Sequence, residues 1–268
     1  MATNDKILHH ELHSSSPDFD WILFIHGAGG STVTWKRQVP ELKKKFNLLL
    51  IDLPGHGQMA KYPNTDEKYT WTSIANKIKK VIDHLSITKF HIIGVSVGTV
   101  IALQMREMFL SQVKSVVLPG CIIQLNPKLK LIANSSLMMA KVIGFRAFYK
   151  MSALVMMPRK NHKVSRDIFV RESRALSISE FKKWTNMYYT LNETLVELFK
   201  AGSNIPHLIV MGAQDHLFLE PAKLYAQKHK NITIKIIEKC GHVVSIERAD
   251  IFNAFCLEFY KKNNFSPE

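Results

Sequence analysis

The chain has 268 residues, 46% hydrophobic and 22% charged, with a formal net charge of +14. This length suits one large α/β domain, or a core domain carrying an insertion, with enough apolar residues to bury a sizeable core. No run approaches the roughly 18–20 apolar residues that a membrane-spanning helix needs, so a helical integral membrane protein is not expected.

The opening residues, MATNDKILHHELHSSS, are polar and lack the apolar stretch of a secretory signal. Residues 6–13 read as an edge strand. Residues 21–25 (WILFI) and 48–52 (LLLID) are strongly apolar strands, followed by 90–95, 113–118 (VKSVVL), 207–211 (HLIVM) and 233–237 (TIKII). Helical spacing fits residues 35–44, 72–85, 97–109, 221–229 and 251–261. Strands alternating with amphipathic helices predict an α/β fold with a mostly parallel sheet covered on both faces.

The alternation breaks over residues 121–204, where helical patterns rich in methionine and aromatics replace strands. Six of the eleven methionines fall here: Met138, Met139, Met151, Met156, Met157 and Met187. Methionine at helical spacing fits packing between helices, and it also lines adaptable apolar pockets. The same stretch holds 14 Lys/Arg against 5 Asp/Glu. These charges are dispersed singly or in pairs, as in PRKNHK, without zinc-finger spacing or an arginine–aromatic ladder, so nucleic acid is not an expected partner. A solvated basic face and a surface drawn to anionic membranes both remain open. Cys121, Cys240 and Cys256 are odd in number and lack metal-ligand spacing. They read as reduced thiols, and with the polar N-terminus they predict a cytoplasmic location. Nothing suggests a metal or an organic cofactor.

One short motif carries chemistry. GVSVG, residues 94–98, joins a buried strand to a helix and matches G-x-S-x-G, the elbow that presents a serine at the tip of a sheet. A serine hydroxyl needs a base, the base needs an orienting group, and the oxyanion formed needs fixed N–H donors. Sites in parallel sheets gather at the carboxyl ends of strands. Asp215 follows HLIVM and His242 follows TIKII, giving the order Ser96, Asp215, His242. The expected oxyanion donors are the N–H of Val97, after the serine, and that of Ala28 in the HGAGGST loop, with Gly29 second.

Together HGAGGS, DLPGHG, GVSVG, GAQD and CGH resemble the α/β-hydrolase superfamily, specifically its capped, serine-nucleophile carboxylesterase and acyl-hydrolase members. The resemblance implies an α/β-hydrolase core over residues 1–120 and 205–268, with a helical cap inserted at 121–204. It implies that DLPGHG is a structural turn, so that His56 is not catalytic. Ser96 at the elbow argues against the related dehalogenases and epoxide hydrolases, which place Asp there. Val95 and Val97 depart from the family's smaller elbow residues and narrow the space beside the serine. Beyond the catalytic three, Gly29, Trp35, Trp184, Met187 and Tyr188 are weaker candidates for substrate contact. Packing of helix on sheet or within the cap explains the last four equally well. The implied function is hydrolysis of a small or medium carboxylic ester, thioester or lactone. The alternatives are a ligand-binding or signalling protein with slow turnover, and a lipase in peripheral contact with anionic membranes.

Overall fold

WILFI and NLLLI are apolar at nearly every position because both of their faces are covered. Side chains alternate between the faces of a strand, so an uninterrupted apolar run needs packing on each side. In the computed structural model, residues 7–62, 68–125, 130–131, 135, 138, 142–200 and 204–265 are described. The strands β1 (His10–His13), β2 (Trp21–Ile25), β3 (Asn47–Ile51), β4 (Phe90–Gly94), β5 (Val113–Pro119), β6 (His207–Gly212) and β7 (Ile232–Ile237) form one sheet. Their spatial order is β1-β3-β2-β4-β5-β6-β7. β1 runs antiparallel to β3 and every other pairing is parallel. The longer helices are α1 (Trp71–His84), α2 (Val97–Met108), α3 (Phe145–Met156), α4 (Lys163–Glu172), α5 (Ile178–Met187), α6 (Leu191–Lys200), α7 (Leu219–Gln227) and α8 (Ala249–Lys262).

Alternate residues of the strands feed two hydrophobic clusters. Leu23, Leu49, Ile92, Val116 and Ile209 face α1 and α2, whereas Phe24, Leu48, Ile93, Val117 and Leu208 face Phe252, Phe259 and Tyr260 of α8. Trp35 belongs to the second cluster: it is fully buried, its ring centroid 5.1 Å from that of Phe24. This corrects its reading as a substrate contact, because the sheet lies between it and the cluster that includes Tyr149, Phe181 and Trp184.

Predicted and observed strands agree to within a residue or two, except the first. It shortens to His10–His13, and Lys6 lies outside the described residues. The helix expected over residues 35–44 is not continuous. A 3₁₀ turn at Thr32–Trp35 is followed by a separate helical turn at Val39–Leu42 with Pro40 in its first positions. Proline lacks an N–H, so it is accommodated at a helix start rather than inside one. Between the two turns, Arg37 and Gln38 donate to the carbonyls of Ile246 and Ser245 at 2.7 and 2.8 Å.

The insertion α3–α6 lies between β5 and β6, where the alternation of strands broke. Arg106 of α2 ties it to the core. The buried guanidinium donates to the Leu198 carbonyl of α6 at 2.6 Å and to His207 Nε2 of β6 at 3.1 Å. His207 donates from Nδ1 to the Ile205 carbonyl at 2.9 Å. Burial, with the Arg106 charge second, holds this imidazole neutral and lowers its pKa to about 4. Arg106→Met removes the donor that meets two buried acceptors, so it is expected to cost about 2–3 kcal/mol of stability, read as a shift in the urea midpoint.

Candidate active site

Ser96 sits where β4 must turn into α2 without a loop, and it adopts φ 55°, ψ −117°. A side chain at this left-handed φ is strained by about 1–3 kcal/mol, so the surroundings must hold it there. They do so by crowding. A Cβ on Gly98 would lie 2.5 Å from the Ile25 carbonyl oxygen, and one on Gly94 would collide with the Gly98 backbone. The two glycines therefore let α2 start directly against β2 and β4.

The Ser96 hydroxyl lies 3.0 Å from His242 Nε2, and His242 Nδ1 lies 2.7 Å from Asp215 Oδ2. His242 and Asp215 are 2% and 1% exposed, so bulk water does not compete for these bonds. The second Asp215 oxygen accepts the N–H groups of Phe218 and Leu217 at 3.1 and 3.3 Å. Burial pushes the Asp215 carboxyl up, but the His242 ring and the two backbone donors outweigh it and the net shift is downward. The aspartate is thus held as an anion against the imidazole N–H. The structure brings these three side chains together from the ends of β4, β6 and β7.

The Gly27–Gly30 turn follows β2 and lies directly beside Ser96, and two buried histidines set its shape. His26 donates from Nδ1 to the Gly27 carbonyl at 2.7 Å and accepts the Leu53 N–H on Nε2 at 3.0 Å. His56 donates from Nδ1 to the Pro54 carbonyl and accepts the Gly29 N–H on Nε2, both at 3.0 Å. The Gly29 N–H is therefore occupied, which corrects its reading as a second oxyanion donor. The N–H groups of Ala28 and Val97 have no hydrogen-bond partner among the described residues.

Above Ser96 lies a cavity of about 230 Å³. Ala28, Val95, Ser96 and His242 line its floor, and Phe148, Tyr149, Phe181, Trp184 and Tyr188 line its roof. Of the weaker candidates, Trp184 and Tyr188 line the cavity. Gly29, Trp35 and Met187 do not, and Met187 is buried in the core of the insertion. Met139 lies outside the described residues. Tyr149, Phe148 and Phe181 went unnoticed in the sequence, where an aromatic at helical spacing gives no sign of which face it occupies. Among the described residues no three His, Cys, Asp or Glu side chains are grouped to hold a metal ion, and no helix is long and apolar enough to cross a membrane.

Hydrogen bonds fasten the insertion around this cavity. Trp184 Nε1 donates to the Pro54 carbonyl at 3.0 Å, Tyr69 donates to Glu180 at 2.5 Å, and Ser31 donates to Glu172 at 2.7 Å. On the other side, Glu247 accepts Ser165 Oγ at 2.9 Å and the N–H of Gly241, beside His242, at 2.6 Å. His162, fully buried, reaches Gln214, beside Asp215, at 2.8 Å.

The chain belongs to the α/β-hydrolase family: residues 20–249 match the family described as the alpha/beta hydrolase fold. It is 24% identical over 256 residues to the dihydrolipoyllysine-residue acetyltransferase component of an acetoin cleaving system from Pseudomonas putida, covering 90% of this chain and 64% of that one. The chain thus spans less than two thirds of that relative's length. Among solved structures it is similar to a thermophilic esterase from Thermogutta terrifontis, with TM-score 0.77, 19% identity and coverage of 95% and 93% of the two chains. It is also similar to the enol-lactonase from Burkholderia xenovorans LB400, with TM-score 0.78, 18% identity and coverage of 95% and 96%. At these identities the likeness is one of fold.

His26 and His56 each accept an N–H on Nε2, so both must stay neutral in the folded protein. Burial lowers their pKa values to about 4 and about 3. The unfolded chain protonates them near pH 6.5, so stability is fully present above that pH and is lost as pH falls from 6.5 toward 4. Urea midpoints measured from pH 7.5 to 4.5 are expected to decline, each of these histidines contributing up to about 1.4 kcal/mol per pH unit.

Proposed function

We propose that this protein is a serine hydrolase that cleaves a small or medium carboxylic ester, thioester or lactone through an acyl-enzyme. One observation carries the reading: Ser96 Oγ, His242 and Asp215 form a continuous hydrogen-bonded chain on the floor of a largely apolar cavity. His242 takes the Ser96 proton as the hydroxyl attacks the acyl carbon, and Asp215 fixes the imidazole tautomer and stabilises the cation that forms. The unpaired N–H groups of Ala28 and Val97 receive the oxyanion. His242 then protonates the leaving group, and a water activated by the same ring releases the acid. His56, by holding the Gly29 N–H, shapes the loop that aims Ala28.

The esterase and the enol-lactonase among the structural neighbours favour an acyl substrate. The cavity, at about 230 Å³, lies below the roughly 300–1,000 Å³ common for drug-sized ligands, which favours a short or medium one. On this reading residues 121–204 act as a cap over the cavity, and residues 1–120 and 205–268 form the catalytic core.

Ser96→Ala is expected to abolish turnover of nitrophenyl esters and labelling by a fluorophosphonate, with the thermal melt retained. Asp215→Asn is expected to lower kcat by about 10⁴-fold by allowing the wrong tautomer of His242. Wild-type esterase activity in the Ser96→Ala protein would rule the reading out.

A second reading, a lipase working at anionic membrane surfaces, is favoured by one feature of the insertion. Val142 and Leu154 are 85% and 58% exposed, and Arg146 and Lys150 are exposed along the same stretch. On this reading anionic vesicles raise the rate on long-chain esters and salt removes the gain. A rate indifferent to vesicles excludes it.

A further inference from the structure

A phenol hydroxyl removed from water is kept only where something meets it, whether protein, water or ligand. Tyr149 on α3 is 6% exposed, and its ring packs against those of Phe169 and Phe181 at 5.4 and 5.8 Å. Its edge also presses on the loop that carries Ala28: a Cβ at Gly29 would lie 2.8 Å from Tyr149 Cε1. Tyr188, at the end of α5, is half-buried. Both residues line the cavity over Ser96, and neither hydroxyl has a hydrogen-bond partner among the described residues. Several other polar groups of the wall are engaged, whereas the Ser152 and Thr34 hydroxyls also have no partner among the described residues. Trp184 donates to Pro54, Thr185 to Lys182, Ser165 to Glu247, and Glu172 accepts Ser31 and Arg171.

We propose that the Tyr149 and Tyr188 hydroxyls form a donor pair that recognises an uncharged oxygen of the substrate, a ketone, ether or hydroxyl oxygen lying beyond the scissile carbonyl. The proposal rests on the reading of Ser96 as the nucleophile and narrows its substrate class to oxygen-bearing acyl compounds. Burial keeps both phenols protonated, with Tyr188 pushed up to about 12 and Tyr149 raised further, so at neutral pH they act as donors. An anionic group is disfavoured. Among the described residues no lysine or arginine lines the cavity, and the carboxylate in its wall, Glu172, would repel one. A plain hydrocarbon chain fits the aromatic walls but leaves both tyrosine hydroxyls of the wall unmet, and a site built to hydrogen-bond a substrate oxygen discriminates against an analogue lacking it.

The test compares matched esters on the wild-type protein and on Tyr149→Phe and Tyr188→Phe, which remove only the hydroxyls. On the acyl side, nitrophenyl esters of linear acids with a ketone at the third, fourth or fifth carbon are set against unsubstituted acids of equal length. On the alcohol side, a 2-methoxyethyl ester is set against the butyl ester, and a carboxylate-ended acyl ester is included. The wild-type protein is expected to favour at least one oxygen-bearing ester by about tenfold or more in kcat/KM. Each Phe variant is expected to bring that ratio to within about threefold of unity, whatever it does to the absolute rates, with melts reporting that it folds. Equal rates on every matched pair, a ratio that survives both variants, or preference for the carboxylate-ended ester overturns the proposal. Failure to turn over any ester, plain or oxygenated, overturns the hydrolase reading and this one with it.

Discussion

The turn at Ser96 is the constraint on which the arrangement depends. A non-glycine residue at φ 55° is unfavourable in isolation, and it is stable here because elements on every side fix its neighbours. Val95 donates its N–H to Ile25 of β2 at 3.1 Å, Ser96 donates to Pro119 of β5 at 3.3 Å, and Gly98 donates to Val95 at 2.8 Å. The elbow is therefore tied to both flanking strands before α2 begins. Because α2 is buried along most of its length, the hydroxyl is aimed by the core of the protein rather than by a loop. Precision at the site and stability of the fold come from the same contacts.

The insertion extends that coupling outward. Its hydrogen bonds do not land at random on the core surface. Trp184 reaches the Pro54 carbonyl, which His56 also uses, and His56 in turn holds Gly29. Glu247 joins Ser165 of α4 to the N–H preceding His242, and His162 grips Gln214 beside Asp215. The roof of the cavity and the loops that carry its polar groups thus share members. Moving the roof as a rigid body would disturb the Gly27–Gly30 turn on one side and the His242 loop on the other.

How far the sequence foretells this depends on whether a signal is local. The strands are legible because WILFI, NLLLI and HLIVM combine short apolar runs with burial on both faces, and a two-sided run has few other uses. The positions of Ser96, Asp215 and His242 follow from strand ends and chain order. Trp35 misleads because periodicity reveals that a residue is buried but not against which layer. Gly29 misleads because its N–H is taken by His56, 27 residues along the chain, and no local pattern announces that. Residues 35–44 look helical by spacing, but Pro40 and the side-chain bonds of Arg37 and Gln38 to the helical turn after His242 divide them. Tertiary hydrogen bonds between distant loops are the layer that the sequence conceals.

The distribution of charge gives the site its character. The chain carries +14, with much of the excess on the insertion, yet among the described residues no lysine or arginine lines the wall of the cavity beneath it. Inside, aromatic rings stand over a floor where one buried carboxylate, one buried imidazole and one hydroxyl are linked. Removing water weakens any competitor for those bonds and strengthens the field that the aspartate exerts on the ring. It also penalises any polar group that enters without a partner waiting. An apolar roof over a polar floor therefore strengthens the bonds that link Asp215, His242 and Ser96 and penalises an entering polar group that finds no partner.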